Sequence, residues 1–156
     1  MASRGDQIPI SEKWAFEHTV QCGVSAEFAW KFWTDVENWK LDSDVVSVEL
    51  EGPFVGGARG ATLTKSSGRL EWHVAELGPR RAVLEFPAPG AVARFVYSFE
   101  DVDDGRRTRI TQRVSLSGEK ASMYVDTIGR ALEMGIPEGM RKLCGAMEAA
   151  ARTIET

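Results

Sequence analysis

The chain contains two histidines, His18 and His73, and two cysteines, Cys22 and Cys144, so proton-transfer, thiol and metal chemistry have few places to reside. An imidazole is the side chain best suited to exchange protons near neutrality. His18 lies in "KWAFEHTVQC", where Trp14, Phe16, His18, Val20 and Cys22 fall on one face of an alternating strand and Lys13, Glu17, Thr19 and Gln21 mostly on the other. It is therefore the best candidate for an acid or base on an apolar face. Tyr97 and Gln112 have the same inward parity on two later alternating segments, and Glu133 and Arg130 are available from a helical region. Tyr97 could donate a proton to a developing enolate, which makes His18 and Tyr97 the catalytic candidates. A phenol, an amide and an imidazole facing inward all need hydrogen-bond partners, supplied by the protein, by water or by a ligand.

Other chemistries find no support. His18 and Cys22 share a face but stand about 13 Å apart at 3.3 Å per residue, too far to chelate one ion. His73 has the opposite parity from Trp72, and neither HExxH nor CxxC occurs. No metal and no cofactor are expected. The acidic run Glu100, Asp101, Asp103, Asp104 before Gly105 lacks the distal glutamate of a calcium loop and reads as a solvated hairpin tip. "GPFVGGARG" has neither GxGxxG nor a following Lys-Ser/Thr, and no GxSxG elbow is present.

Those residues must be positioned by one domain, because 156 residues make a single ordinary core. Nineteen basic against 23 acidic side chains give a net charge of -4, which offers no footprint for nucleic acid. "MASRGDQIPISEK" has no apolar core of signal-peptide length, and no stretch approaches the twenty or so apolar residues that span a bilayer. A cytoplasmic protein without membrane insertion is expected. With no CxxC spacing, Cys22 and Cys144 are expected to be reduced and structural.

Six further alternating segments follow Val45: "VVSVELEG", "RGATLTK", "GRLEWHVAEL", "RRAVLEF", "AVARFVYSFE" and "RRTRITQRVSL". The breaks between them are short, so the strands form an antiparallel meander. Alternation directs Val46, Val48 and Leu50, then Leu70, Trp72 and Val74, then Ala82, Leu84 and Phe86 to one face. Phe95, Tyr97 and Phe99, and Ile110, Gln112, Val114 and Leu116, continue it. Ser25 is set to cap a helix over "AEFAWKFW", and a short turn follows around Val36 to Leu41. The last third changes to a three- and four-residue period. Pro137 marks a fresh helical start, and Ile136, Met140, Leu143, Cys144, Met147, Ala151 and Ile154 form the stripe that lies on the sheet.

The order of "SAEFAWKFWTDVENW", "VSVELEGPFVGGARG", "DDGRRTRITQRVSLSG" and "GIPEGMRKLCGAME" resembles the START-like superfamily, in particular its polyketide cyclase/dehydrase and lipid-transport group built on the birch-pollen-allergen fold. The resemblance covers nearly the whole chain. It implies an α+β helix-grip fold: a curved seven-stranded antiparallel sheet wrapped around a long C-terminal helix, with two short helices after strand 1. Residues 1–12 would be a flexible tail and 13–156 a single domain, monomeric or homodimeric. The implied cavity lies between sheet and helix. Phe16, His18, Phe86, Phe95, Tyr97 and Gln112 would line it from the sheet together with Trp72. Trp33 and Trp39 would close one end, and Met134, Met140 and Met147 would face it from the helix.

Two functional classes fit. The first is a carrier or sensor that encloses a small hydrophobic ligand such as a lipid, polyketide or aromatic metabolite. The alternative is a cofactor-free cyclase or dehydratase that folds a reactive chain in the same cavity and moves protons with positioned groups. A protein-binding module, a third class, would show an exposed apolar patch, and the residues of exposed parity show none.

Overall fold

The computed structural model describes residues 12–155, so the tail expected over residues 1–12 lies outside the described residues except for Glu12, which opens the first strand. The strands are β1 (Glu12–Cys22), β2 (Val45–Leu50), β3 (Arg59–Thr64), β4 (Gly68–Gly78), β5 (Arg81–Ala88), β6 (Ala91–Val102) and β7 (Arg107–Ser117). They form one antiparallel sheet in the order β1-β7-β6-β5-β4-β3-β2. The turns that join β3 through β7 are too short to reach anything but a neighbour, which enforces the meander there, while a longer loop, 51–58, joins β2 to β3 and β1 pairs with β7. Asp103 and Asp104 take left-handed backbone angles, φ 54° and 57°, ahead of Gly105 at 81°. The acidic run is thus the β6–β7 hairpin, in a conformation that aspartate and glycine tolerate better than other residues.

Alternation assigns the faces correctly along most of the sheet. Val74, Ala82, Leu84, Ile110, Val114 and Leu116 are all buried. Val46 departs from the expectation, because the pairing jumps from Val45–Thr64 to Ser47–Leu63 and leaves Val46 as the extra residue of a bulge. It is exposed, as is Leu70 near the β3–β4 turn.

Helix α1 (Ala26–Thr34) starts where the Ser25 hydroxyl accepts the Phe28 N–H at 3.1 Å. A carboxylate oxygen of Asp101 accepts the Ala26 N–H at 3.0 Å, which fastens the start of α1 to the end of β6. A 3₁₀ turn, Val36–Leu41, follows, with Asp35 accepting the Glu37 N–H. After β7 the chain makes a 3₁₀ turn (Ala121–Tyr124) and a π turn (Val125–Gly129), then α2 (Arg130–Glu155).

Pro137 does not restart the helix. Helix α2 runs through it, although an interior proline forfeits a hydrogen bond at a cost of about 3 kcal/mol. Burial on both sides of the proline opposes that cost: Ile136 precedes it and Met140 and Met147 follow it in the core. The expected stripe otherwise holds, except that Ile154 is exposed.

Helix α2 comes closest to β1 among the strands. The Trp14 indole N–H donates to Glu133 at 2.9 Å near the start of both elements, and Glu148 accepts the Gly23 N–H at 2.8 Å near their far ends. Between these tethers Cys22 and Cys144 form a disulfide with their Cα atoms 5.4 Å apart, within the normal span for such a bond. The expectation of two reduced thiols is overturned. Both cysteines sit on the inward faces of elements that pack together, so a separation of 122 residues in sequence becomes direct contact.

Candidate functional site

Strand register builds the site. His18 pairs with Gln112, Gln112 with Tyr97, and Tyr97 with Ala82, so one polar row crosses β1, β7 and β6 and ends on an apolar residue of β5. The adjacent row on the same face is Phe16, Val114, Phe95, Leu84. His18, Gln112 and Tyr97 are each half-buried, as are Phe16, Phe86 and Phe95 around them. The middle of the concave face therefore keeps accessible surface beneath α2.

Within the polar row the Gln112 amide donates to the Tyr97 hydroxyl oxygen at 3.3 Å. That leaves the Tyr97 proton available, and burial among aromatic walls raises the phenol's pKa well above its ordinary value, so the group stays a donor. The His18 ring makes no hydrogen bond to another described residue. His18 and Tyr97 stand two strands apart, about 10 Å between backbones at 4.8 Å per strand. They can reach opposite ends of one ligand but not each other.

Trp33 and Trp39 close the end of this face near α1. The Trp33 ring lies 4.5 Å from that of Tyr97 and 5.6 Å from that of Trp39, and Trp39 in turn lies 5.1 Å from Trp72. Their polar atoms are satisfied internally: the Trp39 indole donates to the Trp33 carbonyl at 2.8 Å and the Trp72 indole to the Thr62 hydroxyl at 3.0 Å. Trp72 fits only because position 60 is glycine; a Cβ there would sit 2.4 Å from its ring.

The expected site residues thus separate. Phe16, His18, Phe86, Phe95, Tyr97 and Gln112 lie on the accessible part of the concave face, with the half-buried Trp39 at its closed end. Trp33, Trp72, Met140 and Met147 are buried in the core and act as packing. Met134 does not face the cavity: it is 81% exposed, and Met123 and Ile128 of the preceding turns are exposed as well. Strand parity carries no signal for the exposure of these three apolar side chains, which lie outside the strands.

Phe54 is a residue that sequence reasoning missed. It lies in the β2–β3 turn but packs edge-on against Trp33 with ring centres 5.6 Å apart. A lone aromatic among Gly and Pro was its only signal. A separate groove of about 560 Å³ opens on the outer face of β2, β3 and β4. Its lining is charged and partly paired: Arg69 lies 3.1 Å from Glu49, and His73 lies 3.3 Å from Glu85. Among the described residues no cluster of His, Cys, Asp or Glu could hold a metal ion, and no helix is long and apolar enough to cross a membrane.

Solved structures share this architecture at low identity. A hypothetical protein of Helicobacter pylori superposes with a TM-score of 0.71 at 17% identity, over 94% of this chain and 95% of that one. The Zhui aromatase/cyclase from Streptomyces sp. R1128 gives 0.71 at 15% identity, over 86% and 93%. Norcoclaurine synthase from Thalictrum flavum, in complex with dopamine and hydroxybenzaldehyde, gives 0.69 at 10% identity, over 90% of each chain. At these identities the likeness is one of fold. No curated protein sequence matches the chain. The sequence profile described as polyketide cyclase/dehydrase and lipid transport, however, matches residues 13–152, the stretch that carries all seven strands and most of α2, and the chain belongs to that family.

Proposed function

We propose that the protein encloses a small hydrophobic molecule, a lipid, polyketide or aromatic metabolite, between the concave sheet face and α2, as a carrier or sensor. The observation that carries this reading is the His18–Gln112–Tyr97 row: a histidine ring and a phenol proton with no partner among the described residues, set in aromatic surroundings that retain accessible surface. Apolar walls would supply affinity and the polar row orientation. Native mass spectrometry of protein purified from its source should reveal a retained small molecule. In its absence, the uncharged probe N-phenyl-1-naphthylamine should bind the folded protein and change its tryptophan emission. Binding only to partly unfolded protein would overturn the reading.

A second reading is a cofactor-free cyclase or dehydratase, favoured by the unpartnered imidazole of His18 in reach of any ligand that contacts Gln112. His18 would act as the base and Tyr97 as the donor to an enolate oxygen. Turnover of poly-β-keto thioesters that falls at least tenfold in His18→Gln, with affinity nearly unchanged, would support it; loss of affinity alone would favour the carrier.

We propose a cytoplasmic location, against which stands the Cys22–Cys144 bond, since disulfides are uncommon there. Alkylating thiols at lysis and weighing the protein tests it. An intact Cys22–Cys144 bond would point to an oxidising compartment.

A further inference from the structure

We propose that the concave site is selective for uncharged ligands bearing a carbonyl or hydroxyl group, and that Glu133 is the residue that turns anionic amphiphiles away. The proposal rests on the binding reading above and names the ligand chemistry that the reading leaves open.

The distribution of charge carries it. Along β1, β7, β6 and β5 the residues that share the concave face with His18, Gln112 and Tyr97 include neither lysine nor arginine. The strand arginines have the opposite parity: Arg81 and Arg94 are spent on Glu76, Arg109 on Glu100 and Arg113 on Glu12, all outer-face carboxylates, and Arg107 donates to the Gln21 side chain. On α2, Arg141 pairs with Glu138 at the surface. Helix α2 brings two carboxylates to β1: Glu148, spent on the Gly23 N–H at the far end of the strand, and Glu133, held by the Trp14 indole at 2.9 Å beside the aromatic surface. Trp14 stacks on Phe16 with ring centres 6.5 Å apart, so Glu133 stands at the end of the aromatic surface. Its nearest cation, Arg130, is 3.9 Å away, mostly exposed and shared with Asp126 at the same distance.

A carboxylate, sulfonate or phosphate entering this site would lose its hydration, meet neither lysine nor arginine and face Glu133, with only the His18 imidazole, when protonated, to offset its charge. An unpaired buried charge is among the most costly features a complex can contain. A neutral oxygen has the opposite experience. The Tyr97 O–H has its own oxygen engaged by Gln112 and its proton free to donate to a ligand carbonyl, and the Gln112 carbonyl can accept from a ligand hydroxyl. A fatty acid or phospholipid is therefore excluded by charge, while a ketone, phenol or alcohol of similar size is accepted.

Two dyes with the same rings test the charge arm: uncharged N-phenyl-1-naphthylamine and its sulfonated counterpart 1-anilinonaphthalene-8-sulfonate. The wild-type protein should bind the neutral dye at least tenfold more tightly. Glu133→Gln keeps an acceptor for the Trp14 indole and removes the charge. It should strengthen binding of the sulfonate at least threefold and leave the neutral dye within twofold. Equal binding of both dyes by the wild-type protein, or an affinity ratio unchanged in Glu133→Gln, overturns the proposal and leaves the binding reading standing. Failure of both dyes to bind overturns the binding reading itself. For the oxygen arm, 1-tetralone should displace the neutral dye at lower concentration than tetralin, and Tyr97→Phe should abolish that difference. Equal displacement by ketone and hydrocarbon in the wild-type protein overturns that arm.

Discussion

The two aromatic regions of this protein use similar side chains toward opposite ends. Around α1, Trp33, Trp39, Trp72 and Phe54 pack ring against ring, and the Trp39 and Trp72 indole N–H groups are satisfied within the protein. In the middle of the concave sheet, Phe16, Phe86 and Phe95 surround a histidine and a tyrosine whose hydrogen-bonding capacity is not used up. Polar satisfaction, rather than aromatic content, separates the packed core from the proposed site here.

The comparison breaks first under truncation. Trp33→Ala should lower unfolding stability by roughly 3–5 kcal/mol, the range for emptying a large aromatic site. Phe95→Ala, on the accessible face, should cost about half as much, because part of the cavity it leaves already borders solvent. Equal losses in chemical denaturation would mean that the concave face is a filled core. Opening the Cys22–Cys144 bond comes next. Removing it with Cys144→Ser should cost roughly 2–4 kcal/mol, as expected for a cross-link closing a long loop, and should weaken binding of the neutral dye more than Trp33 packing, since the bond holds α2 to β1 at the site's side. An unchanged melting temperature in reducing buffer would contradict both the bond and its role.

A smaller effect sharpens the same contrast at Gly60. Gly60→Ala places a Cβ 2.4 Å from the Trp72 ring and 2.8 Å from the Glu49 carbonyl oxygen, and should cost about 1–3 kcal/mol by overpacking. Dye affinity should change little, because the disturbance falls on the closed cluster. The smallest effect is electrostatic. The Asp101 carboxyl is held below its usual pKa by the Ala26 N–H and then by Arg80. A lowered folded-state pKa contributes stability above the unfolded carboxylate range, and that contribution is lost as pH falls through the folded value. The stability gap between wild type and Asp101→Asn should therefore be constant near neutrality and shrink below about pH 4. A gap that widens in acid would reverse the sign.

Much of this arrangement was legible without coordinates, and where it was not, the reason is physical. A two-residue period reports which face a strand residue takes, so His18, Gln112 and Tyr97 were placed inward from their neighbours alone. The same period cannot reveal a bulge, so alternation alone directs Val46 to the wrong face. The outward side of Met134 is not legible locally, because its position on α2 depends on a helical phase that runs on through Pro137 instead of restarting there. The disulfide and the Phe54 contact join segments that local pattern treats separately.

By itself the amino-acid order determined the seven strands, the capped helix after β1, the apolar and charged faces, and the types of side chain able to bind or move protons. These follow from interactions between residues a few positions apart, which alternation and turn chemistry record. Only the tertiary structure decided that His18, Gln112 and Tyr97 share one row, that Glu133 of α2 meets the Trp14 indole, and that Trp33 is buried against Tyr97 while Met134 faces water. Those outcomes depend on register and on how a helix rolls against a sheet, and both are set by the summed packing of residues up to about a hundred positions apart, which no local pattern contains.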